Sequence, residues 1–146
     1  MFWQKSKKSA TPKQVEILGL YLASSLPLLR GRCADPHVKA AAQVFILGMA
    51  DMFRQKEGLN WQQFVAIYSD CLGGCGLLPK NGVESLVQLV GAVASRDAEI
   101  EKLMLLGAQS IRKYVADRDA DAPADILFIS QFAERDGPGL SELIGA

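Results

Sequence analysis

The sequence predicts an all-α fold, a single-domain helical bundle of five or six helices. Three observations carry that expectation. Apolar residues recur near a 3.6-residue period in six segments. No segment sustains the period-two alternation of a half-buried strand. Helix-start and helix-stop residues separate the periodic segments at short intervals. The chain has 146 residues, 49% of them hydrophobic and 22% charged, which suits one domain with a filled core. The expected division is a flexible basic tail over 1–10 and a helical domain over 11–146.

The first helix starts at Thr11-Pro12, with Thr as N-cap and Pro at the first helical position. Val15, Leu18, Leu22 and Leu26 follow on one face, and Pro27 ends or kinks the helix. Leu28 to Ala34, which contains Arg30, Gly31 and Arg32, reads as a loop. Asp35-Pro36 repeats the start signal. The helix that follows carries Val38, Ala42, Phe45, Met49 and Met52, with Val44, Ile46, Leu47 and Phe53 on its other faces. A helix apolar nearly all round belongs at the centre of a bundle, and Gly58 closes it.

Asn60 caps a third helix, whose stripe is Trp61, Phe64, Val65, Tyr68, Cys71 and Leu72. The run Gly73-Gly74-Cys75-Gly76 stops it. After Asn81-Gly82, Val83, Leu86, Val87, Val90, Val93 and Ala94 form a fourth helix, and Ser95-Arg96-Asp97 breaks it with Asp97 or Ser95 as the next cap. Ile100, Leu103, Met104, Gly107, Ala108, Ile111 and Val115 make the cleanest amphipathic stripe. Asp117 to Asp125 reads as an acidic linker, and a last helix is expected over 124–134 with Ile126, Ile129, Phe132 and Ala133 inward. A turn at Asp136-Gly137-Pro138-Gly139 and a terminal helical turn over 140–144 complete the reading. The predicted core includes Leu18, Leu22, Phe45, Met49, Phe64, Tyr68, Leu86, Val90, Leu103, Ile111 and Ile129.

Charge and composition narrow the function. Sixteen basic residues balance sixteen acidic ones, which argues against a globally basic nucleic-acid binder. The balance is local in origin, however. Residues 1–39 carry a net charge of +5, residues 40–96 none and residues 97–146 a net −5. Such a chain can fold one end onto the other, or pair with a partner or a second copy. Arg30, Arg32 and Lys39 against Glu99, Glu101 and Asp117 are the candidate partner-binding charges. No run reaches the roughly 20 apolar residues of a membrane span, and the N-terminus lacks a signal-peptide pattern, so the expected compartment is the cytoplasm. Phe2 and Trp3 beside Lys5, Lys7 and Lys8 suit weak, reversible contact with an anionic membrane surface.

Cys33, His37, Cys71 and Cys75 comprise every cysteine and the single histidine of the chain. They are the candidate metal ligands, with zinc the metal that such a set would hold. The four-residue spacing within each pair departs from the commoner Cys-x2-Cys knuckle. Asp117, Asp119, Asp121 and Asp125 imitate the opening of an EF-hand loop, but Ala122 stands where Gly should and Phe128 where a bidentate Glu should. Phosphate-binding loops and nucleophile elbows are missing from the sequence, which counts against an enzyme. The favoured function is a small helical interaction module that binds a protein partner or itself, for example as a homodimer, through an apolar helical surface. The alternative is a helical-bundle binder of a ligand, lipid or metal, using the Cys/His set or a pocket near Met49, Met52 and Trp61.

Overall fold

A computed structural model describes residues 12–134. The predicted basic tail with Phe2, Trp3, Lys5, Lys7 and Lys8, the Thr11 cap, the 136–139 turn and the 140–144 helical turn all lie outside the described residues. Within them every regular element is helical, and no strand is present. Five α-helices lie wholly inside this span: α1 (Lys13–Ser25), α2 (Pro36–Glu57), α3 (Trp61–Gly74), α4 (Val83–Ala94) and α5 (Ala98–Ala116). The last described segment, 128–134, is also α-helical and is called α6. No helix among the described residues is long and apolar enough to cross a membrane.

Helix boundaries follow the local chemistry. Asp35 accepts a hydrogen bond from the His37 backbone N–H, with Pro36 in the first turn of α2. Gly58 ends α2 in the left-handed conformation, at φ 65°. Asn60 and Gln63 cap α3 reciprocally in a capping box. Asp97 accepts from the backbone N–H groups of Glu99 and Ile100, so the break before α5 falls where its sequence suggests.

Three expectations need correction. Pro12 stands at the N-cap of α1 rather than at its first helical position. The 28–34 segment is not an open loop. It consists of two 3-10 turns, Leu26–Leu29 and Arg32–Ala34, joined through left-handed Arg30 and Gly31. The last helix opens as a 3-10 segment, Ala122–Leu127, around Pro123, and becomes α-helical only at 128.

The central helix is α2, where every residue from Val38 to Ala50 except Lys39 is buried. Its most extensive partner is α5. The two run antiparallel, and their backbones touch at two glycines. A Cβ on Gly48 would strike the Met104 carbonyl, and a Cβ on Gly107 would strike the Phe45 carbonyl. Around this seam α1, α3, α4 and the 122–127 segment close the bundle. All eleven predicted core residues are buried, and they are joined by Tyr21, Leu29, Leu77 and Ile126. Trp61 is the exception in its stripe, being 44% exposed, while Ile67 is buried on that helix.

Candidate functional site

The cysteine–histidine set comes only partly together. Cys33 sits on the 3-10 turn before α2, while Cys71 and Cys75 occupy the last turn and the C-cap of α3. The three thiols are near enough to influence one another electrostatically. His37 lies on the first turn of α2. Among the described residues, no three Cys, His, Asp or Glu side chains converge as a metal shell. Cys71 belongs to the inner stripe of α3 and packs as a small hydrophobe. Burial pushes its thiol up to about 12 and that of Cys75 up to about 11, and it also raises Cys33. Burial thus disfavours the thiolate, the nucleophilic form, at all three.

The charge sets are also redistributed. Antiparallel packing places Lys39 on the first turn of α2, near the C-terminal end of α5. Arg30 and Arg32 immediately precede that end of α2, and Arg32 Nη1 donates to Ser130 Oγ at 2.9 Å. Glu101 lies alongside the other half of α2, level with Asp51. At about 1.5 Å per residue, Lys39 and Asp51 are separated by roughly 18 Å along the axis. That exceeds the screening length of about 8–10 Å. The basic set and the Glu99/Glu101 pair thus lie apart within one chain. Asp117 follows the C-terminus of α5 and stands at the basic end, not with the two glutamates.

A different surface draws residues together. The outer side of the α2–α5 pair holds a groove of about 820 Å3. Gly48, Met52 and Gln55 line it from α2, and Met104, Leu105, Ala108 and Ala116 from α5. Its charged groups are Asp51, Lys56, Glu101 and Arg112. Leu105 is 51% exposed in this groove, although α5 buries Leu103, Gly107 and Ile111 on its other side. The floor is low because Gly48 and Ala108 offer little side chain. A second groove, of about 440 Å3, shares Asp51 and Met104 with the first and continues past Leu59, Phe64, Gly91 and Ala92 to exposed Trp61. Asp51 is held at the junction by Arg54 and Gln55.

This arrangement corrects the predicted Met49–Met52–Trp61 pocket. Met49 is fully buried in the core, Met52 lines the first groove and Trp61 the second. Leu105, Ala108 and Arg112 escaped the sequence reading as a surface. The available signal was their spacing: Glu101, Leu105, Ala108 and Arg112 repeat as i, i+4, i+7 and i+11 beside the main apolar stripe.

Polar groups inside the bundle serve the packing. Tyr21 Oη and Ser110 Oγ lie 2.6 Å apart, and Ser110 donates to the Ala122 carbonyl at 2.9 Å. Gln43 Nε2 donates to the Leu77 carbonyl, and Tyr68 donates to the backbone carbonyl of Gln43. Burial holds both tyrosine hydroxyls well above their ordinary range. They are neutral bolts between helices. Family models, curated proteins and solved structures were all compared with the chain, and none of them matches it.

Proposed function

We propose that the chain is a helical interaction module that binds a protein, another chain or its own copy, through the groove between α2 and α5. The observation that carries this reading is Leu105. It is half exposed over a floor of small residues, on a helix pair whose other side forms the core. Helix-lined apolar grooves of this shape accept the apolar face of another helix, and burying such a surface supplies the driving force for association. Three unbridged cysteines are in keeping with a cytoplasmic module.

A photo-crosslinking residue placed at Leu105 in cells tests the reading. It should yield a covalent protein adduct, and the same residue at exposed Gln62 on α3 should yield none. Absence of a Leu105 adduct in a folded, expressed protein overturns the proposal. A small apolar ligand is the second reading. It is favoured by the separate α1–α3 groove of about 360 Å3, lined by Val15, Leu22, Leu26, Cys71 and Cys75. Native intact-mass measurement with metal analysis separates the two, because it reports a bound protein, a small molecule or zinc as different added masses.

A further inference from the structure

The groove-lining face of α5 has an order that a second copy of this chain would match. Glu101, Leu105, Ala108 and Arg112 fall on one stripe and line the groove together. Their positions are symmetric about the midpoint between Leu106 and Gly107. If the stripe is reversed and laid against itself, Glu101 comes opposite the partner's Arg112, and Leu105 opposite the partner's Ala108. Each acid meets a base, and each large side chain meets a small one. A two-fold axis repeats both contacts, as an isologous interface requires.

We propose that two copies of this chain pair through antiparallel α5 helices, each lying in the other's α2–α5 groove. This rests on the reading of the groove as a protein-binding face and names its occupant. Charge is the observation that selects the occupant. Glu101 supplies the carboxylate that the partner's Arg112 meets, while Asp51, level with it on α2, is already paired with Arg54 and Gln55. Lys56 lies beyond them, more than a turn further along α2. Antiparallel pairing also sets the Glu99/Glu101 end of one copy beside the Arg30, Arg32 and Lys39 end of the other. Charges too far apart to meet within one chain are thereby brought near across the two-fold axis. The alternating three- and four-residue steps of the stripe are those of a coiled-coil seam.

Sedimentation of the purified chain over a concentration series tests the pairing. The intact chain should pass from monomer to dimer, and added salt should weaken the dimer. Glu101→Arg alone or Arg112→Glu alone sets like charges opposite each other twice, so each should raise the dimer Kd by roughly tenfold or more. Both changes in one chain should return most of that loss, because the pairs are then rebuilt in reverse. Leu105→Glu, at an exposed position that folding does not require, should abolish the dimer without changing the helical circular dichroism. A chain that stays monomeric at all concentrations overturns the proposal, as does a double reversal that restores nothing in a folded protein. If the purified chain is monomeric but the Leu105 crosslink captures a different protein, the second copy fails while the interaction reading stands. If no crosslink forms, both fail.

Discussion

Two helix pairs in this bundle carry glycines in or beside their seams, and only one pair uses them to bring backbones together. In α2–α5, Gly48 and Gly107 each face a carbonyl of the opposite helix, so neither can carry a Cβ without separating the pair. In α1–α3, Gly19 meets nothing within 4 Å, and Gly73 meets only the flexible end of Leu78. A groove between α1 and α3 remains open beside Gly19, Ala23, Cys71 and Gly74. The first pair forms the axis of the fold, and the second is a looser wall packed on it. Small residues alone therefore do not define a close crossing. What defines it is a facing backbone at the distance where the missing Cβ would lie.

Gly48→Ala and Gly107→Ala should break this difference most directly. The obstructing atoms are backbone carbonyls within helices and cannot turn aside, so α2 and α5 must move apart along much of the core. Each substitution should cost about 3 kcal/mol or more in urea unfolding, at the upper end of overpacking effects. The pair together should fall short of additivity, because one displacement relieves both clashes. A loss below about 1 kcal/mol at both positions would mean that the backbones are not in contact.

The next effect comes from the looser pair and appears as a dependence on pH. In the folded chain Cys71 ionises near 12, because burial penalises the thiolate, against an ordinary value near 9. Between those values the folded state holds a proton that the unfolded chain releases. Stability is therefore intact below about pH 9 and falls as pH rises towards 12, by about 1 kcal/mol per pH unit for this thiol. Cys71→Ala should lessen that slope, part of which the raised Cys75 thiol keeps, while lowering stability at pH 7 through the lost packing. An unchanged slope would place Cys71 in contact with water and the α1–α3 seam in a more open state.

Much of this architecture is legible in the sequence, and what is not legible has a physical reason. Asp35, Asn60, Gly58 and Asp97 mark helix ends because caps act within a few residues, so neighbouring sequence contains the cause. The burial of Phe45, Met49 and Ile111 follows from periodicity alone. Gly48 and Gly107 look like ordinary members of apolar stripes, since their role depends on a helix more than fifty residues away. Trp61 follows the helical period yet faces a groove, because the period gives a direction and not the partner that fills it. The same limit hides the outer face of α5. Its main stripe finds the core, while Leu105 becomes informative only once α2 is seen to leave it uncovered. The Cys/His set shows the same limit. Sequence spacing puts Cys71 and Cys75 on adjacent turns but does not control where the α1–α2 connection sets Cys33 and His37.

A smaller effect lies at the junction of the two pairs. Tyr21 reaches from α1 to Ser110 on α5, and Ser110 passes the contact to the Ala122 carbonyl. Tyr21→Phe keeps the ring and its edge-on packing against Tyr114, but removes the hydroxyl. It should cost about 1–2 kcal/mol in denaturant unfolding, the usual range for a buried hydrogen bond. Ser110→Ala should cost a similar amount, and the double variant should show coupling, because the remaining Tyr21 contact to Ala122 is 3.3 Å long. Additive losses would indicate that the two hydroxyls act separately.

The smallest expected effect has the opposite sign. Gly19 is exposed in the middle of α1, and its Cβ would enter open space. Here glycine gives no close approach, while its backbone freedom is still lost on folding. Gly19→Ala should stabilise the protein by about 0.5–1 kcal/mol, the ordinary helix preference for alanine. Gly91→Ala on α4 should do the same, since no neighbour lies within 4 Å of that position either. Opposite signs at Gly19 and Gly48, measured by the same urea unfolding, would separate conformational freedom from packing for one and the same chemical change. A clear loss at Gly19 would mean that its surface is covered in solution. If the proposed dimer is what covers it, the loss should disappear in the Leu105→Glu variant.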